Sequence, residues 1–100
     1  MPPAKLQSYL LNEAHSAGGS KASLFRAFGY EAARWEVLAA QLLSIAATYD
    51  VVAYDSHEHG VNYVVDGVLQ TPVGRELPVR TVWVVRRSDE TANFVTAYPL

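Results

Sequence analysis

The chain contains no cysteine, which excludes disulfides and thiolate metal sites. Long apolar runs are missing too, and no stretch approaches the roughly 18 residues of a membrane span. The opening "MPPAKLQSYLLNEAH" lacks the uninterrupted apolar centre of a secretory signal. Together these absences predict a cytoplasmic protein with no membrane partner. Excess positive charge is also lacking. Eight Lys and Arg against 10 Asp and Glu give a net charge of −2, which argues against broad electrostatic capture of nucleic acid. A net charge says little about distribution, however, so a locally basic cleft is compatible with it. What is present is core-forming material: half of the 100 residues are hydrophobic and 11% are aromatic, enough for one folded domain over residues 1–100.

The hydrophobic period divides that domain into a helical part, residues 1–50, and a sheet, residues 51–100. "AARWEVLAAQLLSIAATYD" sets Trp35, Leu38, Ala39, Leu42, Leu43 and Ala46 at the spacing of one helical face, predicting a helix from Ala32 to Tyr49. Upstream, Ser20 reads as the N-cap of a short helix "KASLFRAF" and Gly29 as the residue that ends it. Leu24, Phe25 and Phe28 then share a side that packs on the long helix, and a shorter helix covers Lys5 to Leu11. From Val51 the period becomes two. "VVAYDSH", "VNYVVDGVL", "LPVRTVWVVRR" and "NFVTAYP" read as strands, separated by the turns "EHG", "TPVG" and "SDET". Links this short favour antiparallel neighbours, hence a meander. Alternation groups Val79, Thr81, Trp83 and Val85 on one face, and Phe94, Thr96 and Tyr98 on one face of the last strand. Gly67 marks a bulge or a close backbone approach. The fold class predicted is α+β: N-terminal helices packed on a C-terminal four-stranded antiparallel sheet, in two layers.

Chemistry-bearing residues are few. His15 and Lys21 flank "SAGGS", where Gly18 and Gly19 allow a tight turn before a helix start. An imidazole can exchange a proton near neutrality and an ammonium can stabilise a crowded phosphate, with free amides at the helix start adding an anion-binding nest. The plainer alternative is a loop histidine, a turn and a solvated lysine. His57 and His59 in "SHEHG" project from one strand face, but no third ligand is near, so no metal and no cofactor are expected. Thr81, Thr96 and Tyr98 are hydroxyls within apolar strands and need partners if buried. Arg80, Arg86 and Arg87 bring cations to the sheet, with Arg80 and Arg86 opposite in parity to Thr81.

Several stretches carry a family resemblance: "YLLN-x-x-H-x-x-G-x-SKA-x-x-F" at Tyr9 to Phe25, "FGY" at Phe28 to Tyr30, "VNYVVDGVLQTPVGR" at Val61 to Arg75, "RTVW" at Arg80 to Trp83, and "FVTAYP" at Phe94 to Pro99. The chain resembles a small bacterial family known as a domain of unknown function, numbered six-eight-eight-three, and departs from it mildly at Ala14 and Ser16. More loosely, helices followed by a four-stranded sheet ending "VTAYP" are similar to the barnase–EndoU–colicin–RelE group of metal-independent toxin ribonucleases. That second resemblance implies a toxin-like endoribonuclease with RNA as substrate and a small inhibitor, or antitoxin, as partner. It assigns His15 as acid or base, Lys21 as phosphate stabiliser, and Thr81, Thr96 and Tyr98 to positioning the scissile phosphate. Gly18, Gly19, Arg80 and Trp83 become candidate substrate-binding residues. The alternative from another class is a non-catalytic protein-interaction module that uses an exposed strand edge.

Overall fold

The computed structural model describes residues 19–100, with side chains from residue 23 onward. The expected helix at Lys5 to Leu11 lies outside the described residues. Helix α1 spans Gly19–Ala27, so Ser20 sits inside it rather than capping it. Gly29 ends it as predicted. Its φ of 95° lets Gly29 N–H reach the Arg26 carbonyl (2.9 Å) and Tyr30 N–H reach the Phe25 carbonyl (3.1 Å), the paired bonds of a Schellman stop. The apolar contact that accompanies such a stop is present, with the Phe25 and Tyr30 rings edge to face at 6.1 Å.

The long helix begins later than its periodicity suggests. Ala32–Arg34 forms a 3-10 turn, and α2 runs Trp35–Thr48. Arg34, at φ −121° and ψ 43°, breaks the path between them, and neither start has a side-chain cap. The inward face is Leu38, Ala39, Leu42 and Ile45, while Leu43 is exposed. Each large aliphatic buried there contributes about 1.5–3 kcal/mol by leaving water. Tyr49 is already extended at ψ 153°, and the chain passes directly into the sheet.

Four strands follow, β1 (Val51–His57), β2 (Gly60–Gln70), β3 (Glu76–Arg86) and β4 (Asn93–Pro99), antiparallel in the order β1-β2-β3-β4. This is the predicted meander, and the fold is α+β. The β2–β3 ladder is unbroken from Gly60↔Arg86 to Gln70↔Glu76, so the core alternation is clean there: Val65, Leu69, Leu77, Val79, Thr81 and Trp83 all point toward α2. Gly67 is a close approach, not a bulge. A Cβ at that position would lie 2.8 Å from Ile45 Cγ2, so the helix seats against bare backbone. α1 contributes Phe25 and α2 its inward face to the same cluster, closed at one end by Trp83 against Phe94, whose rings meet edge to face at 5.3 Å. Gln41 ties the layers together: it accepts from the Tyr30 hydroxyl and donates to the Gln70 carbonyl (2.9 Å). Burial raises the Tyr30 phenol to about 12, so it remains a donor at ordinary pH.

The last strand departs from simple alternation. Val82 pairs with Thr96 but Trp83 pairs with Phe94, which leaves Val95 as an extra residue in a bulge. One inserted residue reverses the facing of everything beyond it. Phe94 and Ala97 therefore share the core face, while Thr96 and Tyr98 turn to the other side. The expectation that Phe94, Thr96 and Tyr98 share a face is corrected accordingly.

Candidate functional site

The bulge divides the sequence-predicted residues between two sides of the sheet. Thr81 and Trp83 belong to the core face and are 0% and 3% exposed. The Thr81 hydroxyl donates to the Val65 carbonyl (2.7 Å) and accepts from Trp83 Nε1–H (2.8 Å), so two buried polar groups satisfy each other beneath α2. The outer face, turned away from α2, carries Arg80 and, through the shift in β4, Thr96 and Tyr98. No single face holds Thr81 together with Thr96 and Tyr98. Parity in the sequence had set Arg80 apart from the hydroxyls; the structure brings it beside two of them. His15 and Gly18 lie outside the described residues. Gly19 and Lys21 lie in α1, with the Lys21 side chain outside the description.

Arg80 is the centre of the outer face. Its cross-strand neighbours are Asp66 on β2 and Tyr98 on β4. The guanidinium donates through Nε to Asp66 Oδ1 (2.8 Å) and through Nη2 to Asp66 Oδ2 (2.9 Å), a two-pronged pair that fixes its plane. It also bonds Tyr98, while Thr96 sits one pair along the strand, opposite Val82. The hydrogen bonds from Arg80 hold the Asp66 carboxyl below the ordinary carboxylate range, and Asp66 in turn holds Arg80 charged. Two of five guanidinium N–H groups serve Asp66, leaving donors for a further acceptor. Asp66 escaped the sequence reading because "VVDGV" shows an acid in a strand but not which cation lies across from it.

This pair has a consequence in acid. A carboxyl depressed in the folded state contributes stability above its unfolded value of about 4, and that contribution disappears as pH falls through the folded value. Asp66→Asn lacks it throughout. Urea midpoints measured at successive pH values below about 4 should therefore fall less steeply in Asp66→Asn than in the parent chain. Parallel curves would mean the pair adds nothing to stability.

The remaining histidines are remote from this face centre. His57 Nε2 meets Asn62 Oδ1 (3.1 Å) and its Nδ1 accepts from His59 N–H (3.2 Å), which places the ring proton on Nε2. His57 lies four residues along the sheet from the Thr96 row and three strands across, roughly 13 Å by 14 Å at ordinary strand spacings. Among the described residues, no group of three or more His, Asp or Glu is placed to hold a metal ion, and no helix is long and apolar enough to cross a membrane.

Comparison with known proteins gives two findings. A family model described as Domain of unknown function (DUF6883) matches residues 1–100. Among solved structures, a chain of the contact-dependent growth inhibition toxin–immunity protein complex from Klebsiella pneumoniae 342 is similar in fold, with a TM-score of 0.74 at 14% identity, covering 95% of this chain and 87% of that one. No curated protein matches.

Proposed function

The chain belongs to the Domain of unknown function (DUF6883) family, and from the outer-face geometry we propose that it is a toxin-like, metal-independent endoribonuclease. The observation that carries this reading is the Arg80 guanidinium, locked by Asp66 beside Tyr98 and Thr96 on the side of the sheet away from the core. A planar cation with N–H groups beyond the two that hold Asp66, next to hydroxyls, is suited to a phosphodiester. Support also comes from the likeness in fold to a chain of a toxin–immunity complex, and from the position of the cations. All eight Lys and Arg lie outside residues 35–74, so the net charge of −2 conceals a basic portion that includes Lys21 and Arg80.

In this mechanism Arg80, Thr96 and Tyr98 hold the phosphate. His15 takes the proton from the RNA 2′-hydroxyl as that oxygen bonds to phosphorus. The P–O5′ bond breaks, O5′ takes a proton from water, and the products are a 2′,3′-cyclic phosphate and a 5′-hydroxyl end. Arg80 offsets the charge that grows on the phosphate oxygens, while Lys21, on α1 in the layer across the sheet, is assigned to the RNA strand beyond the scissile phosphate. Thr81 and Trp83 act from beneath, keeping β3 in register. Such an enzyme requires a cognate inhibitor in its host, the second partner of this reading.

The test is incubation of the purified chain with total RNA in excess chelator. Cleavage with cyclic-phosphate ends is expected. His15→Ala should abolish it and Lys21→Ala should weaken it, each without shifting thermal unfolding, and Arg80→Ala should slow it by about 100-fold. Intact RNA, or full activity in the His15→Ala/Lys21→Ala double variant, would end this reading in favour of a non-catalytic module.

A further inference from the structure

Residues 35–74 hold no Lys or Arg and five carboxylates, Glu36, Asp50, Asp55, Glu58 and Asp66. Asp66 is engaged by Arg80, but Asp50, Asp55 and Glu58 are spaced along or beside β1. Among the described residues β1 has one neighbour, β2, and so forms an edge of the sheet. Its first six residues are all exposed, Val52 at 55% and Tyr54 at 72%. Edge strands are commonly protected from pairing by lysine or proline. β1 has neither, and its one bulge, at Val52, leaves Ala53–His57 in regular register. Beside the strand, on the core side at the margin of α2, opens an apolar cleft of about 330 Å³ lined by Ala46, Val51, Tyr63, Val65, Trp83 and Val85.

We propose that β1 is the docking edge for a protein partner that adds an extended, basic segment as a fifth strand and seats one apolar side chain in the adjoining cleft. Backbone groups along β1 that have no partner among the described residues specify an extended polypeptide. The carboxylates specify its charge, since a segment rich in Lys or Arg alternating with apolar residues meets Asp55 and Glu58 favourably while its other face meets Val51 and Tyr54. A second copy of this chain is disfavoured on the same ground, because pairing β1 with itself brings like charges together. A polyanion is repelled from this edge. The inference stands apart from the ribonuclease reading and holds whether or not the chain cleaves RNA.

A random linear-peptide display library selected on the immobilised full chain tests it. Enriched sequences should alternate Lys or Arg with β-branched or aromatic residues. The leading peptide, synthesised, should slow hydrogen exchange across residues 51–57. Asp55→Lys/Glu58→Lys should weaken its binding by about tenfold or more with thermal unfolding unchanged, since both side chains lie on exposed positions. No enrichment, enrichment of peptides without basic residues, protection of other elements, or binding indifferent to the charge reversal would overturn the proposal.

Discussion

Gly60→Ala should destabilise the chain by about 3 kcal/mol or more, enough to unravel the β1–β2 hairpin before the rest of the sheet. Gly60 opens β2 at φ 148°, a region that side-chain-bearing residues rarely enter. A Cβ there would stand 2.2 Å from the Val85 carbonyl oxygen and 2.8 Å from Arg86 Cα. Both are backbone atoms of the paired strand, so no rotamer change can make room, and the Gly60↔Arg86 pair has to part. Gly74 provides the internal comparison. It also has a positive φ, of 83°, yet nothing lies within 4 Å of its missing Cβ, so Gly74→Ala should cost only the conformational penalty of about 1–2 kcal/mol. Urea unfolding of the two variants separates clash from strain. Equal midpoints would show that the hairpin yields more easily than its packing implies.

Thr81→Val is expected to cost about 1–3 kcal/mol although it keeps the side chain's shape. The loss is electrostatic: Trp83 Nε1–H keeps its buried position but loses its acceptor, and the Val65 carbonyl loses one donor. For a domain of this size the midpoint of thermal unfolding should drop by roughly 5–15 °C. In a Trp83→Phe background the orphaned N–H is gone, so the same Thr81→Val change should cost at least about 1 kcal/mol less. A double-mutant cycle reads this coupling directly, and a value near zero would mean the two groups do not depend on each other. The cycle also bears on function. If the role of Thr81 is to hold β3 from below, RNA cleavage by folded Thr81→Val should match the parent.

The architecture was legible because it rests on period and punctuation. Leu38, Leu42 and their neighbours announce a helix, Gly29 its stop, and "TPVG" a closed turn whose Gly74 N–H bonds the Thr71 carbonyl at 2.9 Å. Strand limits agreed to within about a residue for the same reason. The helix start is not legible in the same way, since Arg34 breaks the path without any residue that signals a break. The candidate site was less legible still. Alternation along "NFVTAYP" treats the strand as regular, and nothing in those residues reveals that Val95 is left over opposite Val82 and Trp83. That bulge separates Thr81 from Thr96 and Tyr98 and gives Arg80 its company on the outer face. Cross-strand partners such as Asp66 and Arg80 are 14 positions apart and meet only once the ladder is in register. Local pattern cannot supply that relation.

The leftover residue in β4 also governs where this chain can change length. In the turn between β3 and β4, gaining or losing an amino acid alters only a connection. Removing Val95 would leave Phe94 and Ala97 inward and Thr96 and Tyr98 outward by plain alternation, so the strand can lose that one amino acid and keep both of its sides. A second loss would exchange the two sides, so β4 has room to shorten by one amino acid at that point and by no more.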